Sequence, residues 1–166
     1  INPGDRILTE EPTYLGAIQA FTMYGADYVT VPIDGEGLQT SRLEEGLRSG
    51  PKFMYILPNF QNPAGTTLPL ARRLELIALA SRRGVPIIED VCESHGATFG
   101  GKKLGTFGLA SNFSFYYAHH LSTIEGGMVC TDDYDLYETV RMMRGHGMVR
   151  EMDCNGRKFD YADEFP

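Results

Sequence analysis

The sequence predicts an α/β fold: a three-layer domain in which a mostly parallel sheet carries helices on both faces. Two observations lead there. Short apolar runs alternate with segments of helical period along the chain. The runs are brief and rich in Ile, Val, Phe or Tyr, and no repeat or low-complexity tract interrupts them.

Strands are expected at 6–9, 28–31, 53–57, 86–89, 112–116 and 127–130. Between the first two, residues 14–24 place Leu15, Ile18 and Phe21 on one helical stripe. Ser41-Arg42-Leu43-Glu44 has the spacing of a capping box and predicts a second helix. The clearest helical segment is 69–83, where Leu70, Leu74, Ile77 and Ala78 recur at helical spacing, Arg82 and Arg83 suit the carboxyl-end dipole, and Gly84 ends it. A last helix is expected from Asp132, burying Leu136, Val140 and Met143, and after Gly145 the pattern decays into polar residues.

Length and charge narrow the function. A chain of 166 residues with 42% apolar residues fits one globular domain. At that size roughly 70% of the unfolded surface is buried, enough for a core without disulfides. The net charge of −7 repels polyanions, and the Arg pairs at 72–73 and 82–83 sit among Glu and Leu, so no nucleic-acid partner is expected. Cys92, Cys130 and Cys154 form neither an even framework nor a C-x-x-C site, which fits a reducing cytoplasm. No stretch has the roughly 20 apolar residues of a membrane span, and no leader-like segment opens the chain, so no membrane partner is expected. Beginning at Ile1, with a strand almost at once, the sequence has the look of a piece of a longer chain.

Ligands of open α/β sheets bind outside the carboxyl ends of the strands. Asp90 follows Val85-Pro86-Ile87-Ile88-Glu89, where a carboxylate could face a cationic ring nitrogen; taken alone it serves a turn or helix cap equally well. Asn62 lies in Asn59-Phe60-Gln61-Asn62-Pro63-Ala64-Gly65 after the third strand, where its amide could reach a phenolic oxygen; by itself it reads as an Asn-Pro turn. Ser114 lies in the fifth strand, and His119 and His120 follow it. Two adjacent histidines cannot face one direction on an extended chain, and no third ligand supports a zinc site. A lone histidine is more often solvated or hydrogen-bonded than functional. Gly126-Gly127 suits a bend where chains approach closely.

Together these residues resemble the large domain of pyridoxal-phosphate enzymes of the aspartate-aminotransferase fold type, in two branches. Residues 1 to about 90, with Glu10-Glu11-Pro12-Thr13-Tyr14, Asn62-Pro63-Ala64-Gly65 and Glu89-Asp90, resemble class I amino-acid aminotransferases. Residues from about 89 to 150, with Glu89-Asp90-Val91-Cys92-Glu93-Ser94-His95-Gly96-Ala97, Phe113-Ser114-Phe115 and Glu125-Gly126-Gly127, resemble the DegT/DnrJ/EryC1 sugar-nucleotide enzymes. The resemblance implies a partial large domain over 1–150, with its seam near 87–90, and a tail over 151–166.

It also implies roles. Tyr14 would stack on the cofactor ring, Asn62 would bond its phenolic oxygen, Asp90 would pair with the pyridinium nitrogen, and Ser114 would bind the phosphate. Glu93 stands near the ring, where the sugar branch often has Gln and the amino-acid branch Tyr. The family's Schiff-base lysine, five residues beyond Ser114, is His119, and none of Lys52, Lys102, Lys103 or Lys158 aligns with it. A histidine there is similar to the sugar 3-dehydratases of the family, which hold pyridoxamine 5'-phosphate without a covalent tether. Imidazole ordinarily titrates near about 6.5 against about 10.4 for lysine, so a neutral base is at hand near physiological pH.

The implied activity is dehydration at C3 of a nucleotide-linked 4-keto-6-deoxy sugar. His119 acts as base, glutamate as amino donor restores the amine form from pyridoxal 5'-phosphate, and a homodimer completes the pocket. Two other readings stand beside it: an amino-acid or sugar aminotransferase fragment without its lysine, and a non-catalytic or chimeric scaffold domain.

Overall fold

The computed structural model describes residues 1–148. The expected tail over 151–166, with Cys154 and Lys158, lies outside the described residues. The chain divides into two units, Ile1–Ile87 and Ile88 onward.

The first unit contains β1 (Arg6–Glu11), α1 (Leu15–Thr22), β2 (Asp27–Asp34), β3 (Gly37–Leu38), α2 (Thr40–Arg48), β4 (Phe53–Tyr55) and α3 (Leu70–Arg82). Its sheet runs β3-β2-β1-β4, with β1 parallel to β2 and β4 and β3 folded back antiparallel on β2. The central strand β1 is covered on both faces: Ile7 and Leu8 are wholly buried although they point opposite ways. Leu8, Val31, Leu38, Leu43, Leu47, Leu68, Leu79, Ala80 and Val85 form one core, joining β1 and β2 to α2 and α3. On the opposite face Phe21 of α1 meets the edges of Phe53 (5.4 Å) and Tyr55 (5.7 Å). Helices thus cover both faces of this sheet. Gly46 lets α2 lie close on it, because a Cβ there would stand 2.8 Å from Leu8 Cδ1.

The second unit contains β5 (Ile88–Asp90), the small hairpin of β6 (Thr98–Phe99) and β7 (Lys102–Lys103), β8 (Ala110–Ser114), β9 (Gly127–Thr131) and α4 (Tyr134–Arg144). Its sheet runs β5-β8-β9, with β5 and β8 parallel and β9 antiparallel. Glu89 ties the loop ahead of β8, its carboxylate accepting from the backbone N–H groups of Gly105 (2.7 Å), Phe107 (2.5 Å) and Gly108 (2.7 Å).

Four sequence expectations are corrected. The stripe Leu70, Leu74, Ile77, Ala78 of α3 faces outward, with Leu70 and Leu74 60% exposed. Leu79 and Ala80 face the core, with Leu76 packed against it. The helix is apolar on more than one side, and arginines choose its rotation. Arg72 forks onto Asp34 (2.8 and 3.0 Å), while Arg73 bonds the carbonyls of Leu68 (2.6 Å) and Pro58 (2.9 Å). The Ser41 capping box does not form: α2 starts at Thr40 with Gln39 as an N-cap lacking a side-chain bond, because Gln39 N–H is held by the Pro32 carbonyl (3.0 Å) across the β2-β3 hairpin. In α4 the cap is Asp133, accepting from Leu136 N–H (2.8 Å), not Asp132. Its buried residue is Glu138, within 3.1 Å of Arg141, while Met143 is exposed.

Strand ends shift for local reasons. β4 stops at Tyr55, and Leu57 N–H goes to the Glu10 carboxylate (3.0 Å) instead of a ladder. β8 stops at Ser114, whose Oγ accepts from Tyr116 N–H (3.3 Å) and starts a turn.

Candidate active site

In the second unit Asp90 ends β5 and stands in register with Asn112 of β8. Residues two apart share a face, so Asp90, Asn112 and Ser114 line one side of the sheet at the carboxyl ends of its parallel strands. Asp90 Oδ1 accepts from Cys92 N–H (3.0 Å) and Asn112 Nδ2 (3.1 Å), so the carboxylate is oriented from both sides. Asn112 Nδ2 also approaches Cys92 Sγ at 3.3 Å. Burial, with the Asp90 carboxylate as second cause, pushes the Cys92 thiol up to about 11, so it remains a thiol at neutral pH.

The loop after β8 folds back on itself through Phe115 N–H to the Gly126 carbonyl (2.8 Å) and Thr123 N–H to the Phe115 carbonyl (2.9 Å). Within it, His119 N–H bonds the Tyr116 carbonyl (3.0 Å). His119 Nε2 stands 3.7 Å from Glu93 Oε1, and its Nδ1 is buried with no partner among the described residues. Glu93 lies three residues past Asp90, so this contact brings His119 to the strand end that carries Asp90. His120 turns elsewhere, its ring edge-on to His95 at 6.1 Å. The glycines are close-approach points: a Cβ on Gly126 would collide with Thr123 Oγ1, and one on Gly127 would press on the Phe113 carbonyl at 3.1 Å.

His95 carried no role of its own in the sequence. It stacks on Phe113 (5.5 Å) and Phe115 (5.9 Å), on the face of β8 opposite Asn112 and Ser114, with both ring nitrogens buried and unpartnered among the described residues. No group of three His, Cys, Asp or Glu side chains there could hold a metal ion. Nor is any helix among the described residues long and apolar enough to cross a membrane.

Tyr14 and Asn62 belong to the first unit. Tyr14 is the N-cap of α1 with no side-chain capping bond, and its ring folds over Gly16, where a Cβ would lie 2.6 Å from the ring. Asn62 is exposed on a turn. Beneath both lies a pair that sequence reasoning passed over. Glu10 and Gln61 are 2% and 1% exposed, and Gln61 Nε2 donates to Glu10 Oε2 (3.3 Å) and to the Pro12 carbonyl (2.8 Å). Burial raises the Glu10 pKa, against the bonds from Leu57 and Gln61 that lower it. The available signal was position: Glu10 lies two residues before Pro12 near a strand end, and Gln61 precedes Asn-Pro.

The profile of the DegT/DnrJ/EryC1/StrS aminotransferase family matches residues 1–161. The chain belongs to this family. Among curated relatives, the GDP-4-keto-6-deoxy-D-mannose 3-dehydratase of Escherichia coli O55:H7 is 30% identical over 154 residues, 92% of this chain and 38% of that protein. The aromatic-amino-acid aminotransferase 1 of Thermococcus litoralis is 46% identical over 96 residues, 54% of this chain and 23% of that one. Both branches indicated by the motifs are therefore represented. Among solved structures, the E. coli GDP-4-keto-6-deoxy-D-mannose-3-dehydratase with bound hydrated PLP aligns with a TM-score of 0.70 at 30% identity, covering 92% of this chain and 38% of that one. The family chain described here thus spans well under half the length of these relatives, and the likeness bears out the α/β large-domain fold.

Proposed function

We propose that this chain carries the His119 half of a site for vitamin B6-dependent dehydration at C3 of a nucleotide-linked 4-keto-6-deoxy sugar. The observation that carries the reading is the place of His119. It lies beyond a strand parallel to the one ending in Asp90, with one ring nitrogen facing Glu93 and the other buried without a partner among the described residues, and the resemblance puts it at the family's lysine position. A histidine there can hold or move a proton but cannot form a covalent tether.

The donor set fits pyridoxamine 5'-phosphate or pyridoxal 5'-phosphate. Asp90 Oδ1 accepts from Cys92 N–H and Asn112 Nδ2, and the Cys92 thiol also hydrogen-bonds this carboxylate, so the group is held in place where it would face a cationic ring nitrogen. Ser114 Oγ accepts from Tyr116 N–H, so its own hydrogen remains to donate to a phosphate. When bound, the cofactor supplies an electron sink that acidifies the C–H bond beside its amine. Asp90 would keep the ring nitrogen protonated by opposite charge, and His119 would take a proton there and give one to the departing C3 hydroxyl, which leaves as water. Glu93 Oε1, 3.7 Å from Nε2, is too far for a hydrogen bond and would attract the His119 ring only in its protonated form. Tyr14 and Asn62 keep the stacking and phenolic-oxygen roles that the resemblance implies. A nucleotide sugar as substrate agrees with the GDP-sugar dehydratase and GDP-perosamine synthase relatives. Glutamate as amino donor and assembly as a homodimer follow from the family resemblance. The aminotransferase reading draws on the 46% identity to the aromatic enzyme, and the missing lysine stands against it.

The test is a titration with both cofactor forms followed by borohydride. The wild-type chain is expected to bind the amine form and give no trapped adduct. His119→Lys is expected to give an adduct with pyridoxal phosphate that mass spectrometry places on residue 119. An adduct on another lysine, or none in the variant, overturns the assignment of His119.

A further inference from the structure

We propose that Gln61 is a positioning residue that holds Asn62, the expected partner of the cofactor's phenolic oxygen, in register with the segment leading to Tyr14. The inference rests on the functional reading above and deepens it.

Gln61 joins two stretches far apart in sequence. Its Nε2 bonds the Pro12 carbonyl (2.8 Å) and Glu10 Oε2 (3.3 Å), two residues or more ahead of Tyr14. Its Oε1 accepts from Ala64 N–H (2.9 Å), two residues past Asn62. Its backbone is used as well, N–H to the Thr66 carbonyl (2.8 Å) and carbonyl from Gly65 N–H (2.5 Å). A buried amide with both ends engaged cannot shift without leaving a polar group unpaired. Arg73 secures the start of the same strap through Pro58, Asn59 Oδ1 (2.6 Å) and Leu68. Between these anchors Asn62 is one of the few polar side chains presented outward. Thr13 Oγ1, beside Tyr14, is buried with no partner among the described residues, so the first unit also keeps an unused polar atom next to an expected ligand contact.

A positioning role for Gln61 differs from that of a mere brace of the fold in how the loss of Gln61 combines with that of Asn62. In the whole chain, Gln61→Asn keeps an amide but withdraws it by one methylene. It is expected to weaken pyridoxamine phosphate binding about tenfold in a fluorescence titration, yet less than twofold in an Asn62→Ala background. The absorption maximum of bound pyridoxal phosphate should move the same way in Gln61→Asn as in Asn62→Ala. Amide exchange at Ala64, followed by NMR, should accelerate in Gln61→Asn and not in Asn62→Ala. If Gln61→Asn does not fold, Ala64→Pro removes the donor to Gln61 Oε1 from the exposed side of the turn and is read by the cofactor titrations with and without Asn62→Ala and by the absorption maximum, a proline having no amide to exchange. Additive losses, or unchanged affinity while Ala64 exchange is faster, overturn the positioning role alone. A wild-type chain that binds neither cofactor form overturns the functional reading and this inference with it.

Discussion

Glu10 is a carboxylate at the end of a central strand, 2% exposed, with its pKa raised chiefly by desolvation. Because the folded value lies above the unfolded one, Glu10 favours folding most below about 4.5, and that contribution is lost as pH rises through the folded value. Glu10→Gln keeps an oxygen acceptor for Leu57 and Gln61 and removes the charge. Its unfolding free energy by urea should therefore gain on that of the wild type as pH rises from below about 4.5 to about 8; a constant difference would show that burial does not govern this group. The sequence hid Glu10 and Gln61 because polar residues near Pro and Asn-Pro look like solvated turn residues. Burial of a polar side chain is set by partners distant in sequence, here 47 to 51 residues away. Asp90, Glu93, Ser114 and His119 stand out in the sequence because their spacing is local and their strand ends are marked; the structure brings His119 to within 3.7 Å of Glu93 and sets Asp90 in register with Asn112, and their roles stay proposals.

At the level of elements, every strand expected from the sequence formed, with ends displaced by a few residues where a side chain captured a backbone N–H. What periodicity could not settle was rotation. Helix α3 offers two apolar stripes, and Arg72 and Arg73 decide between them through partners outside the helix. Leu79→Ala should cost about 2–5 kcal/mol of stability. Leu74→Glu, on the outward stripe, should stay within about 0.5 kcal/mol. Paired denaturation curves check both, and the reverse order would mean that the helix is rotated in solution.

At the level of the whole molecule, a chain with net charge −7 leaves many large apolar side chains in water, among them Leu70, Leu74 and Ile77 on α3 and Leu121, Ile124 and Val129 around β9. Such surface binds apolar dyes. The triple replacement of Leu70, Leu74 and Ile77 by Lys should cut fluorescence of an anilinonaphthalene dye at least twofold with an unchanged circular dichroism spectrum; equal fluorescence would place the exposed apolar area elsewhere.

The three-point grip of Glu89 on the loop before β8 also limits where an anion can be received. Converging main-chain donors of this kind form a nest that elsewhere cradles phosphate. Here the chain's own carboxylate already fills the nest, so that stretch of the second unit is closed to an incoming phosphoryl group.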